Sequence, residues 1–293
     1  MPSLKDVKMK ITGVKKTAQI TKAMNMVSAA KLRGAQMKME SFRPYAGKFD
    51  EALRTISGNM KAAQFALMQD REVKTVELLV VTSDRGLCGS FNSNIIKMAE
   101  KLMNKLEAAG KKVTLVCVGK KSTRYFRKTG KIRAKYVDIM GNFQMFNARA
   151  IAQDIAANFI AGGSDEVKLI YGSFKSVARQ VPTTLPFLPV KSVTAEDATT
   201  AAKTGQTGAY IYEPSTEEIM DVLLPLYTNV MVYNAMLEVG ASEHAARMTA
   251  MDNATKACKD IISNLTMVYN KARQAAITGE LMDIVGGAEA LKG

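Results

Sequence analysis

Two glycine-bearing turns, one histidine and three cysteines are the places where this sequence could do chemistry. The turn Ser83-Asp84-Arg85-Gly86-Leu87-Cys88-Gly89 follows an apolar strand candidate and precedes a helical stretch, the position at which glycine-rich loops bind phosphates in α/β proteins. Its pattern is not G-x-G-x-x-G, and Asp84 would put negative charge beside a phosphate, so it reads as a structural turn. Gly119-Lys120-Lys121-Ser122 imitates the end of a P-loop, but Thr114 stands where the first glycine belongs and Lys121 where the hydroxyl residue belongs. Neither turn reads as a nucleotide site. His244, beside Glu243, falls on the seam of a long helix and reads as a packed residue, because no nucleophile or ligand set can be assigned to it. Cys88 has only Arg85 as a basic neighbour in sequence and reads as a small buried hydrophobe. Cys88, Cys117 and Cys258 lie far apart with no CxxC, and a single histidine leaves no zinc set. The sequence therefore predicts no catalytic residue, no cofactor and no metal, and a reducing compartment.

Charge points to partners instead. Lys and Arg total 41 against 27 for Asp and Glu, a net charge of +14 over 293 residues, which calls for nucleic acid, anionic lipid or an acidic protein surface. From Lys5 to Lys38 the chain carries eight lysines and Arg33 against the single acid Asp6. That run reads either as the solvated face of a coiled coil or as a surface that meets acid. It has no interleaved aromatics and no second reading module, which argues against nucleic acid. The 47% apolar content excludes disorder as the main state. No apolar run is expected to reach the ~18 residues that cross a bilayer, and the scarcity of acids at the start imitates a transit peptide. The seam through Leu4 and Val7, continuous with the helix beyond, argues that this segment is retained.

The elements that must position these residues fall into three stretches. Residues 1–60 predict one long helix, with a seam at Leu4, Val7, Ile11, Val14 and Ala18 that runs on through Thr21, Asn25, Ser28, Leu32, Ala35, Met39 and Phe42. A second stripe, Ile20, Ala23, Val27, Ala30 and Met37, needs another apolar surface beyond one partner helix. Residues 73–208 predict a Rossmann-like parallel-sheet domain, with strands at Val76–Thr82, Val113–Val118 and Val167–Tyr171 alternating with helices at Asn94–Ala109, Lys121–Lys128 and Asn147–Ala161. Residues 191–208 read as a loop. Residues 215–293 return to helix, with Ser215 and Glu218 spaced as a capping box and Pro225 expected to kink or interrupt the early turns. Its seam takes Leu223, Leu226, Val230, Tyr233 and Leu237, then after a stutter near Gly240 runs from Ala241 and His244 to Ala276. The fold class is thus α/β, a long antiparallel coiled coil of the terminal helices plus the central domain. Ile277, Leu281, Ile284 and Val285 form an apolar face at the free end of the last helix, beyond the reach of the first, so something outside the chain is expected to enclose it.

Three groups of residues carry a resemblance. Ile20-Thr21-Lys22-Ala23-Met24 leads to Met26-Val27-Ser28-Ala29-Ala30-Lys31-Leu32; Ser83 to Gly89 is followed by Phe91-Asn92; and Ala241-Ser242-Glu243-His244-Ala245-Ala246-Arg247-Met248-Thr249-Ala250-Met251-Asp252-Asn253-Ala254 is followed by Tyr269-Asn270-Lys271-Ala272-Arg273-Gln274-Ala275-Ala276-Ile277-Thr278. Over essentially its whole length the sequence resembles the gamma subunits of F-type ATP synthases. The resemblance implies a non-catalytic rotor shaft, one copy per complex, inside a hexamer of alpha and beta subunits, with the α/β domain near the epsilon subunit and the c-subunit ring. It implies a peripheral membrane protein on the cytoplasmic face of a bacterial inner membrane, without nucleic acid and without insertion into the bilayer. It places Arg273, Gln274 and Thr278 against a loop of the beta subunits, Met24 near their acidic lever, and Tyr210 and Glu213 near the c ring and epsilon. Gly279 stands where relatives usually carry a longer polar residue. Two other classes follow from the residues alone: a coiled-coil nucleic-acid binder using the basic run, and a dinucleotide enzyme using the central sheet, against which the broken fingerprints argue.

Overall fold

A computed structural model describes residues 3–57, 64–191, 213 and 215–291. The order is α1 (Leu4–Ser57), β1 (Thr75–Val81), α2 (Phe91–Ala108), β2 (Lys112–Val118), α3 (Lys120–Phe126), a 3-10 turn (Arg127–Thr129), β3 (Ile132–Tyr136), α4 (Met145–Ile160), β4 (Glu166–Phe174), β5 (Gln180–Leu188) and α5 (Thr216–Ala290). The chain divides into two compact units, one of residues 30–246 and one of residues 1–29 with 247–293.

In the larger unit the five strands lie in the order β3-β2-β1-β4-β5. The pairs β1–β2, β1–β4 and β2–β3 are parallel, and β4–β5 is antiparallel. The sequence marks three of these strands and misses two. Ile132-Arg133-Ala134-Lys135-Tyr136 alternates partly buried with exposed residues at the sheet edge, and its cations disguise it as a loop. Gln180–Leu188 contains Pro182 and Pro186, which lack the N–H a central strand needs and are tolerated because β5 is the other edge. The centre is a near-continuous apolar run, with Val76, Leu78, Leu79, Val80 and Val81 fully buried, as a strand covered on both faces requires. α2 buries Ile95, Ala99 and Met103, and α4 buries Ile151, Ile155 and Phe159. α2 is followed by Gly110 and α4 by Gly162, both at positive φ, so the expected stop signals act.

Within the same unit the seam of α1 continues as Leu32 and Met39, both buried, and Phe42 meets Tyr233 of α5 edge to face at 4.9 Å. α5 begins with the Oγ of Ser215 accepting from the Glu218 N–H. It then runs through Pro225 without interruption, so of the two expected effects, a kink or an interruption, the second does not occur; Pro225 lies at an exposed position in the early turns.

In the smaller unit the two helices pair in antiparallel fashion. Asn25 Nδ2 donates to the Met248 carbonyl at 2.8 Å, and the hydroxyls of Thr21 and Thr255 lie 2.7 Å apart, so one chain rises as the other falls. The polar middle of the seam is thus satisfied by cross-helix hydrogen bonds. On α1 every seam position from Leu4 to Ser28 is buried or partly buried, and on α5 the same holds from Met248 to Ala272. From Arg273 to Leu291 every residue is exposed. One window of α5 has a mean hydropathy of 1.2 over 18 residues, so the helix is long and apolar enough by composition to cross a membrane, which corrects the expectation that no run reaches that length. Of that window 56% is buried within the chain, the condition of a core helix.

Candidate functional site

In a doubly wound sheet, ligands bind beyond the carboxyl ends of the strands, where the strand order reverses. Here that point lies between β1 and β4. The groups found there are spent on one another. Ser83 N–H donates to Asn92 Oδ1 at 3.0 Å, and Asn92 Nδ2 donates to Ser83 Oγ at 2.8 Å and to Cys88 Sγ at 3.1 Å. Asp84 accepts from the backbone N–H groups of Lys120, Asp138 and Met140 at 2.9, 3.1 and 2.9 Å, tying together the loops that follow β1, β2 and β3. Gly119, at φ 92°, is glycine because a Cβ would come 2.2 Å from the Thr82 carbonyl oxygen. Its N–H donates to the Tyr136 carbonyl, and the Ser122 hydroxyl is buried against Val118 and Gly119 carbonyls. The backbone N–H and hydroxyl groups of both turns are therefore engaged within the chain.

The crevice itself is filled by the chain's own helices. The ring of Phe91 lies on Gly172 of β4, where a Cβ would approach it to 2.4 Å. Ser242 Oγ donates to the Gly172 carbonyl at 3.2 Å. Glu238, with a side chain 7% exposed, accepts from the Phe174 N–H at 2.6 Å and from Ser173 Oγ at 3.3 Å. Arg43 of α1 donates from Nε and Nη2 to Glu238 Oε1 at 3.1 and 2.8 Å, and from Nη2 to the Phe174 carbonyl at 2.9 Å. One carboxylate thus joins α1, α5 and the end of β4. Burial and Glu238 beside it push the Tyr171 hydroxyl up to about 12. Sequence reasoning missed this latch. Its signal was Glu238 standing between Met236, Leu237 and Val239, all buried, since a carboxylate in such a run needs a partner.

The remaining chemical candidates are buried or partly buried. All three cysteines are free and buried, and burial raises the Cys117 thiol to about 12, far from a thiolate at neutral pH. His244 is partly buried and, with Asp84, Lys120 and Asp138, borders a cavity of about 240 Å³. No group of His, Cys, Asp or Glu suited to a metal occurs among the described residues.

The residues assigned by resemblance lie apart. Met24 is partly buried in α1, its carbonyl accepting from Ser28 Oγ. Arg273, Gln274 and Thr278 are exposed on the end of α5, with Gln274 and Thr278 one turn apart on one face. Glu213 is exposed just before α5, and Tyr210 falls outside the described residues. The stripe residues Ile20, Val27 and Met37 are 60%, 57% and 65% exposed. Lys5, Lys8, Lys10, Lys15, Lys16, Lys22, Lys31, Arg33 and Lys38 are all exposed, and none has a carboxylate partner among the described residues.

Known proteins match this arrangement from end to end. The model of a family described as ATP synthase matches residues 3–291. The chain is 65% identical over 292 residues to the ATP synthase gamma chain of Desulfotalea psychrophila and 52% identical over 295 residues to that of Nitratidesulfovibrio vulgaris, covering 100% of both chains in each case. Among solved structures it is similar to a chain of the central stalk and c-ring of the Tetrahymena thermophila mitochondrial ATP synthase, at 29% identity and TM-score 0.61, covering 80% of this chain and 99% of that one. A chain from the OSCP/F1/c-ring structure of the Euglena gracilis mitochondrial ATP synthase shares the fold at 20% identity, with TM-score 0.69 over 98% of this chain and 94% of that one. Paired terminal helices, a sheet whose ligand crevice is closed by those helices, and matches over the whole length place the chain in one family: it belongs to the ATP synthase gamma chains.

Proposed function

We infer that the chain is the non-catalytic shaft of a proton-translocating rotary ATP synthase, turned by the c ring and cycling the beta subunits through the conformations that bind, form and release nucleotide. The observation that carries this reading is the end of α5. From Arg273 to Ala290 a continuous helix is exposed on every side, with Ile277, Leu281, Met282 and Ile284 each more than half exposed. An apolar helix end of that kind is stable in water only when something encloses it. A sleeve of alpha and beta subunits meets the need. Arg273, Gln274 and Thr278 would contact a beta loop there, and Met24 and the unpaired lysines of α1 would face the acidic lever. Tyr210 and Glu213 would sit near the c ring and epsilon, with residues 73–208 as the foot and residues 1–60 and 215–293 as the shaft. The complex would hold one copy, as a peripheral assembly on the cytoplasmic face of a bacterial inner membrane.

Co-purification tests this. A tagged chain expressed in its host should bring down large ATPase subunits in a 3:3:1 ratio with itself. Recovery of the chain free of them, or bound to duplex nucleic acid with steep salt dependence, would overturn the reading.

A further inference from the structure

The segment that imitates a P-loop builds a different surface on its outer side. In Lys120-Lys121-Ser122-Thr123-Arg124-Tyr125-Phe126, the buried residues are Ser122 and Phe126, and the helical spacing turns the cations away from them. Arg127 extends the same side, and Lys135 reaches it from β3. Together with Lys120, Lys121, Arg124 and Asp84 they line one cleft of about 590 Å³.

The charge balance of this cleft is one-sided. Lys120 is held by Asp138 at 2.6 Å. Lys121, Arg124, Arg127 and Lys135 have no carboxylate partner among the described residues. Asp84 is the acid in the lining, and its oxygens accept three backbone N–H groups. Elsewhere in this unit several cations beside the sheet are paired, Arg133 with Glu77 and Asp154, Lys131 with Glu107 and Lys168 with Glu166. Four unpaired cations brought to one concavity repel one another, and a bound anion would relieve that. The volume falls within the ~300–1,000 Å³ of small-ligand sites. Val137 is the one apolar residue of the lining, so neither a nucleobase nor an apolar peptide side chain finds a wall to pack on. Two arginine forks and two lysine point charges suit phosphoryl oxygens.

We propose that this cleft binds a multiply charged phosphate anion, through its phosphoryl groups alone. Two sources share that chemistry, free pyrophosphate and the diphosphate tail of a nucleotide. The proposal does not depend on the shaft reading, since it concerns a cleft of the larger unit alone.

Titration calorimetry of the purified full chain with sodium pyrophosphate at low ionic strength tests it. A single saturable site is expected. The triple variant Arg124→Gln, Arg127→Gln, Lys135→Gln should bind about 30-fold more weakly or worse, whereas Lys8→Gln, Lys15→Gln, Lys22→Gln, which removes the same charge elsewhere, should change affinity less than about two-fold. Arg124→Lys keeps the charge and the fold and should still weaken binding about five-fold through loss of the fork. Orthophosphate should bind at least about ten-fold more weakly than pyrophosphate. ADP matching pyrophosphate would make a nucleotide tail sufficient, and ADP binding more weakly would make free pyrophosphate the ligand; both support the shared chemistry. No saturable heat, equal losses in the two triple variants, or ADP binding ten-fold more tightly than pyrophosphate would overturn it.

Discussion

The larger unit and the far end of α5 solve the problem of a stable surface in opposite ways. Around the sheet, three carboxylates are answered within the chain: Glu77 by Arg133 and Asn158, Glu238 by Arg43 and the end of β4, Asp84 by three backbone N–H groups. On the last turns of α5 nothing is answered. Arg273, Ile277, Leu281 and Ile284 face solvent, and Gly279, Gly286 and Gly287 have nothing within 4 Å of where a Cβ would stand. A surface completed by its own chain holds a shape, and one left incomplete is shaped by what surrounds it.

The contrast can be broken most severely at Gly119. Gly119→Ala sets a Cβ against the Thr82 carbonyl at positive φ, and backbone on both sides leaves no side chain to give way. A loss on the order of 3–5 kcal/mol is expected, read as collapse of the soluble yield or of cooperative thermal unfolding. Next comes the latch. Glu238→Ala leaves the Phe174 N–H without its acceptor and Arg43 with only the Phe174 carbonyl; because the Arg43 side chain is 43% exposed and keeps its water, the expected cost is about 2–3 kcal/mol in urea denaturation. Glu238→Gln, which keeps an acceptor, should cost clearly less.

At the other end stability should be nearly blind and activity sensitive. Replacing Arg273 and Gln274 together with alanine should change the stability of the purified chain by less than about 0.5 kcal/mol. The same pair should lower ATPase turnover of the assembled complex by about ten-fold or more, since charge-assisted bonds at that position are worth roughly 1.5–3 kcal/mol. Unchanged turnover in the complex would erase the distinction between the two ends. Gly279→Ala offers a smaller and opposite effect. In open space and a helical backbone it should raise the helicity of the chain, by up to ~1 kcal/mol, whereas Gly119→Ala destroys.

The smallest effect is one of pH, and it belongs to the sheet. Burial raises the Glu77 carboxyl above its ordinary 4.5, although Arg133 and Asn158 pull it down. A raised value means a stabilising contribution that is full below 4.5 and is lost as pH rises through the folded value. Acidifying from pH 7 toward 5 should therefore favour the native chain over Glu77→Gln, by a few tenths of a kcal/mol in denaturation midpoints. Asp154 is lowered against its own burial by Arg133, so its contribution is lost only as pH falls below its ordinary 3.8, outside that window. A gap between the two chains that narrows on acidification would contradict the assignment.

The terminal helices were legible because their seams are periodic over many turns, so the spacing alone places Val7, Thr21, Ser28, Met251 and Cys258 on the buried side. β3 and β5 were not, because an edge strand with cations or prolines lacks the apolar run that betrays a central one. The turns at Gly86 and Gly119 were legible as turns, but not the bonds by which Asp84 ties them to the loop after β3. The latch was half legible: Glu238 announced a need for a partner, but Arg43 stands 195 residues away, and no local pattern links them. The cation cleft was illegible for the same reason, since Lys135 joins Arg124 and Arg127 only through the pairing of β3 with β2.

The hydrogen bond between Thr21 and Thr255 spans 234 residues, and that span sets a clock. At roughly 5–20 residues per second, a ribosome delivers Thr255 some 10–50 s after Thr21. Through that interval Val7, Ile11 and Val14 have no opposing seam, although the helix that carries them is already long. The entropic toll of so wide a loop grows only with the logarithm of its length, about 0.6 kcal/mol per doubling, so delay rather than free energy is the burden. The sheet can close meanwhile, because β1 to β5 lie between the two halves of the pair and are finished first. The α1 half of the pair is thus made before the sheet and packed after it, which makes residues 4–28 a segment in need of cover during synthesis.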